Sequence, residues 1–138
     1  MERVLRNLLI VDDNPADVRY TEEMLKEAGV ECDRHVVGDG VKALQFLRQR
    51  GEYADAPRPD LVLLDWYLPR KDGQEVLAEL RADDRLAGVP VVVVTGSRLE
   101  AEALRVESEA ADACAVKPIG ADELRRFAER LGGARRLA

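Results

Sequence analysis

The chain has 138 residues, 46% of them hydrophobic and 35% charged, with a formal net charge of −6 at pH 7. That length suggests a single domain over residues 1–138, large enough to bury a core without staples. The acidic balance argues against nucleic acid or an anionic membrane surface as a direct partner, and the short Arg135-Arg136 pair does not reverse it.

The first apolar run, LLIV at 8–11, predicts a strand that ends in two adjacent acids, Asp12 and Asp13. Asn14 is placed to cap a helix with Pro15 at its first position and Asp17 in its opening turn. Val18, Thr21, Leu25 and Ala28 recur at helical spacing and Gly29 closes the helix. CDRHVV (32–37) predicts a second strand, running out at Val37-Gly38. A second helix spans about 39–50, burying Val41, Leu44 and Leu47, with Gly51 as its stop. DLVLLD (60–65) predicts a third strand ending in Asp65. The third helix starts near Asp72-Gly73 and buries Val76, Leu77 and Leu80. VPVVVVT (89–95) predicts a fourth strand ending in Thr95. Ser97-x-x-Glu100 then reads as a capping box ahead of a thin stripe of Leu99, Ala103 and Val106. ACAV (113–116) predicts a fifth strand running into Lys117, and Leu124, Phe127, Ala128 and Leu131 mark the last helix.

Strands alternating with helices imply an α/β domain with a parallel sheet covered on both faces. The continuously apolar VLL and VVVV runs agree, since strands buried on both sides need not alternate. Right-handed crossovers leave a flavodoxin-like (βα)5 arrangement, strand order 2-1-3-4-5, as the expected topology. Ligands in such sheets bind beyond the carboxyl ends of the strands, where strands 1 and 3 diverge.

Those ends carry Asp12, Asp13, Asp65, Thr95 and Lys117. At an effective dielectric near 20, two carboxylates ~4 Å apart repel by about 4 kcal/mol. Either one of them holds a proton or a divalent cation sits among them. All-oxygen ligation at a shallow site suits Mg²⁺, which keeps several waters and needs only one or two carboxylates. Lys117 adds a positive charge and Thr95 a hydroxyl, the usual company of a phosphoryl group. Asp65 is the carboxylate placed to receive that group covalently.

LLIVDDNPAD, LVLLDWYLPRKDG, PVVVVTGS and AVKP, in that order, resemble the receiver domain of two-component response regulators over residues of about 5–131, leaving 132–138 as a tail. The resemblance implies that Asp65 is the phosphoacceptor and that Asp12, Asp13, Asp65 and the backbone carbonyl of Tyr67 hold Mg²⁺. Thr95 and Lys117 would contact the phosphoryl oxygens, and Lys117-Pro118 would be a cis peptide. NPADVRYTEEMLKE, the EYADAPRPD segment and the lack of an output domain resemble the small stand-alone regulators paired with bacterial phytochromes. One position departs from the family. Three residues before the lysine, where receivers place a switching aromatic, stands Cys114. Output is therefore expected through altered packing of the fourth helix and fifth strand.

Two other functions compete. A haloacid-dehalogenase-type phosphatase also uses a strand-end Asp with Mg²⁺, but it needs D-x-D, and here the run is Asp65-Trp66-Tyr67. A flavodoxin would cradle phosphate in its first loop, which DDNPAD would repel. The expectation is therefore a non-enzymatic regulator that catalyses only its own phosphorylation and dephosphorylation. His35 is a poor phosphodonor, so the donor is expected to be another protein, a sensor histidine kinase docking near the first helix. A homodimer through the fourth helix, fifth strand and fifth helix is expected. Cys32 and Cys114 form no disulfide framework, and with one histidine a zinc site lacks ligands. No h-region or stretch of membrane-spanning length is present, so a reduced cytoplasmic setting is expected.

Overall fold

The structure, a computed structural model, describes residues 5–107 and 110–132, with Val106 and Glu107 described by their backbone alone. Five strands, β1 (Asn7–Val11), β2 (Asp33–Val37), β3 (Leu61–Asp65), β4 (Val91–Thr95) and β5 (Ala113–Val116), form one sheet. All pairings are parallel and the order is β2-β1-β3-β4-β5, as expected. The connecting helices are α1 (Pro15–Glu27), α2 (Gly40–Arg48), α3 (Gly73–Ala82), α4 (Arg98–Glu107) and α5 (Ala121–Phe127), the last continued by a π turn, Ala128–Gly132. The tail from residue 133 on lies outside the described residues.

Successive side chains of a strand leave by opposite faces, and this sorts the core into two layers. Leu9, Val11, Val62, Leu64, Val91 and Val93 meet Leu44, Leu47, Val76, Leu80 and Ala101 on the α2–α3–α4 side. Leu8, Ile10, Leu61, Leu63, Val92 and Val94 meet Leu25, Leu124 and Ala128 on the α1–α5 side. The same parity carries past the apolar run. Asp12, Asp65 and Lys117 continue the α1–α5 series, whereas Thr95 continues the α4 series.

Caps fix where the helices start. Asn14 Oδ1 accepts from the backbone N–H groups of Ala16 and Asp17, and Asp72 and Glu75 complete a capping box on α3. Helix α2 begins after its cap Asp39 and ends at Arg48 rather than Arg50. Gln49 itself takes the left-handed conformation (φ 56°) that stops it, and Gly51 instead opens a 3₁₀ turn. Val41 is only half-buried, and Ala43 and Phe46 share the core face with Leu44 and Leu47. The largest correction falls on α4. Leu99 is 80% exposed and Ala103 is exposed, while Ala101 and Leu104 face the core. The small Ala101 lets the helix approach the β4–β5 end of the sheet, and the spacing of Leu99 and Ala103 follows the outer face instead. Val106's side chain lies outside the described residues.

The β3–α3 loop rests directly on α2. A Cβ at Gly40 would lie 1.9 Å from the Lys71 carbonyl oxygen, and one at Gly73 would lie 2.6 Å from that of Asp65. Only glycine admits backbone this close. Arg70, at φ 68°, turns the loop and pairs with Asp39 at 3.4 Å.

Candidate functional site

Main-chain bonds carry the ladder one residue past the strands. Asp12 N–H donates to the Val37 carbonyl (3.0 Å), Trp66 N–H to Val94 (2.9 Å) and Lys117 N–H to Thr95 (2.8 Å). These bonds fix the backbone from which the functional side chains project. Asp12, Asp65 and Thr95 are all buried, while Asp13 is exposed. Asp12 Oδ1 is further tied by the Asn14 N–H at 2.9 Å, and Asp65 Oδ1 accepts a longer bond from the Tyr67 N–H at 3.4 Å. The Lys117-Pro118 peptide is cis.

Asp12, Asp13 and Asp65 each present a carboxylate oxygen within 4.8 Å of the others. Three oxygen anions in that space, one open to solvent, match the donor set of a hard divalent cation that retains water. Lys117 supplies the compensating charge. Its Nζ lies 3.0 Å from Asp12 Oδ2, 2.8 Å from Asp17 Oδ2 and 3.1 Å from Asp65 Oδ2. Burial works against the ammonium, but the bonds to Asp17, Asp12 and Asp65 outweigh it and hold the lysine pKa well above its ordinary value. For Asp65 the balance runs the other way. Burial raises its pKa, Lys117 pulls it down, and Asp12 adds a smaller upward push. The site therefore holds a desolvated carboxylate with a lysine beside it, the condition in which a carboxylate can act as nucleophile.

Thr95 stands apart from this cluster. Its hydroxyl donates to Glu100 Oε1 on α4, and the Tyr67 phenol donates to Glu100 Oε2. Sequence reasoning missed two residues here. Asp17 passed as a first-turn acid and Glu100 as the far end of a capping box. Only half of that box exists: Glu100 N–H donates to Ser97 Oγ at 3.2 Å, while the Glu100 carboxylate is spent on Thr95 and Tyr67. His35 is remote from the site, bonded to Asn7 Oδ1 at 3.2 Å and packed on Phe46. Cys114 is buried and Cys32 half-buried, and neither is in a disulfide.

The description "Response regulator receiver domain" fits residues 8–129 of this chain. The chain belongs to that family. This receiver is 46% identical to the response regulator Rcp1 of Synechocystis sp. over 93 residues, which are 67% of this chain and 63% of Rcp1. That alignment thus spans just under two thirds of Rcp1. By structure the receiver is similar to the bacteriophytochrome response regulator AtBRR, with TM-score 0.84, 36% identity and 93% of each chain covered. It is also similar to the phosphorylated cyanobacterial phytochrome response regulator RcpA, with TM-score 0.75 and 38% identity over 91% of this chain and 89% of that one. The Mn²⁺-bound form of Rcp1 aligns with TM-score 0.74 and 37% identity over 90% and 89%.

Proposed function

We propose that this receiver takes a phosphoryl group from the phosphohistidine of a sensor histidine kinase onto Asp65, with Mg²⁺ held by Asp12, Asp13, Asp65 and the backbone carbonyl of Tyr67. The observation that carries the reading is the convergence of three carboxylates within 4.8 Å, with Lys117 3.1 Å from Asp65. Bound Mg²⁺ supplies neutralising charge for the acids and for the phosphoryl oxygens. An Asp65 carboxylate oxygen bonds phosphorus as the P–N bond breaks, and the donor imidazole keeps the electron pair. Lys117 turns from the carboxylates to a phosphoryl oxygen, and Thr95 donates its hydroxyl to another. The related structures support this, one being a Mn²⁺-bound form and another a phosphorylated one.

Chain 1–138 then acts as a single receiver that catalyses only its own phosphorylation and slow dephosphorylation, and signals through protein contacts. A phytochrome-type kinase is the donor we favour, because RcpA and AtBRR are both phytochrome response regulators. It docks over the start of α1 and the loops around Asp65. The exposed Leu99 supports a homodimer face on α4, β5 and α5. Cysteines outside any disulfide, Cys32 and Cys114, suit a reducing cytoplasm, and none of the described helices is long and apolar enough to cross a membrane. The phosphatase reading has no support from the family match, and Tyr67, where that chemistry needs an acid, offers a phenol already donated to Glu100. The test is transfer of labelled phosphoryl from a phytochrome-type kinase in Mg²⁺. Label is expected on the unaltered chain and none on Asp65→Asn; equal labelling of both would refute the assignment.

A further inference from the structure

One carboxylate, Glu100, joins three segments that surround Asp65: the end of β4 through Thr95, the β3–α3 loop through Tyr67, and the first turn of α4 on which it sits. Thr95 is 1% exposed and Tyr67 65% exposed, so the bond chain runs from the interior to the surface. Strand parity explains the arrangement, since Thr95 leaves β4 on the α4 side while Asp65 and Lys117 leave theirs on the other.

We propose that Glu100 is a positioning residue, a latch that holds the Thr95 hydroxyl in its resting orientation and is exchanged for a phosphoryl oxygen when Asp65 is modified. The proposal rests on Asp65 as the acceptor. A threonine hydroxyl has one proton to donate, so Thr95 serves Glu100 or the phosphoryl group but not both. In the resting chain the Ser97 N–H donates to Thr95 Oγ1 at 3.3 Å, which occupies a lone pair and leaves the proton for Glu100.

When Thr95 departs, two groups lose a partner together: the Ser97 N–H and one Glu100 oxygen. They are the two groups whose pairing completes the Ser97-x-x-Glu100 capping box, of which the resting chain makes only the other half. Phosphorylation thus closes the box, tightens the first turn of α4 and loosens Tyr67's anchor. This polar exchange carries the signal to α4 in a chain whose switching position is Cys114 rather than an aromatic.

The test is a double-mutant cycle on beryllofluoride binding in Mg²⁺, read by calorimetry, with Glu100→Ala, the isosteric Thr95→Val, and the pair. Removing Glu100 is expected to lower the half-saturating concentration about fivefold more in the presence of Thr95 than in Thr95→Val, the size of one net hydrogen bond. Thr95→Ser, which keeps the hydroxyl, is expected to preserve that ratio, and a role confined to α4 stability would leave it at one. A ratio of one overturns the latch. Asp65→Asn separates the two readings: if it binds beryllofluoride as the unaltered chain does, the acceptor falls and the latch with it. If Asp65→Asn is silent and the ratio is one, the latch alone falls. The Ser97 amide is expected to stay protected from hydrogen exchange in both states of the unaltered chain, and in Glu100→Ala to lose protection only with beryllofluoride. Loss in both states or in neither overturns the capping-box exchange.

Discussion

Two clusters occupy the carboxyl ends of the strands, and they are built with opposite charge. On the α1–α5 side one cation, Lys117, gathers the carboxylates of Asp12, Asp17 and Asp65. On the α4 side one anion, Glu100, gathers the hydroxyls of Thr95 and Tyr67. Both groups that a phosphoryl oxygen needs, an ammonium and a hydroxyl, are already bonded to acids of the chain itself. Under the proposed function, an incoming phosphoryl group would exchange one anionic partner for another and would not meet bare, solvated donors. Such an exchange spares the donors the cost of shedding water, because each already sits in a hydrogen bond within the chain.

Removing the cation breaks the first cluster hardest. Lys117→Met preserves much of the stem but leaves three carboxylates uncompensated. In divalent-free buffer it is expected to cost about 3 kcal/mol of unfolding free energy, as for other broken, partly buried pairs. Mg²⁺ should recover much of that loss by binding the folded state alone, while phosphorylation by acetyl phosphate falls about 100-fold. Urea melts with and without Mg²⁺ separate the two effects. Unchanged stability in divalent-free buffer would mean the carboxylates are solvated well enough to need no lysine.

A smaller effect has a pH signature. Burial raises the Asp65 pKa above its ordinary 3.8, so the folded chain binds that proton more tightly than the unfolded one. Stability from this group is therefore highest below pH 3.8 and declines as pH climbs through the raised value. Asp65→Asn removes the charged form and should raise Tm at neutral pH by a few degrees without divalent ions, at about 4 °C per kcal/mol. The gain should shrink as pH falls toward 4 and reverse when Mg²⁺ is added, because the variant lacks one of the proposed ligands. Calorimetric scans at several pH values check both signs.

The smallest effect sharpens the comparison. Asp17 is the most exposed of the three Lys117 partners, with 39% of its side chain accessible, so water screens the pair. Asp17→Asn is expected to free the lysine and speed acetyl phosphate labelling by about twofold to threefold. A slower rate would show that Asp17 aims the lysine at the site and is more than a resting partner for it.

Much of this site can be read from the linear chain because the informative residues interrupt apolar runs. Asp12, Asp65, Thr95 and Lys117 each stand at the end of a strand whose place in the sheet the succession of strands and helices predicts. Topology therefore brings all four to one edge of the sheet, with Thr95 on the opposite face from the other three. The two omissions share a different cause. Asp17 and Glu100 each had a sufficient local explanation, a helix dipole and a capping box, and local signals do not reveal which tertiary partner takes the same carboxylate. Helix α4 was misread for a related reason. Leu99 and Ala103 have helical spacing, yet the sheet it covers admits the small Ala101 and the adjacent Leu104, a choice made by the shape of the partner surface. Gln49 ended α2 before Gly51 because a left-handed residue need not be glycine when it stands at a helix end.

The contact between Gly40 and the Lys71 carbonyl has a mechanical meaning. Backbone already touches backbone there, so the segment carrying Tyr67 has no room to yield inward, and the Asp39–Arg70 pair restrains it from outside. A protein pressing on Tyr67 would push on α2 almost without play, whereas one pulling it outward would oppose side-chain contacts, those of Tyr67 with Glu100, Lys71 with Glu79 and Arg70 with Asp39. The loop is backed by backbone against compression and held by side chains against tension, so under the proposed latch a binding partner would sense the state of Asp65 through how firmly Glu100 holds Tyr67.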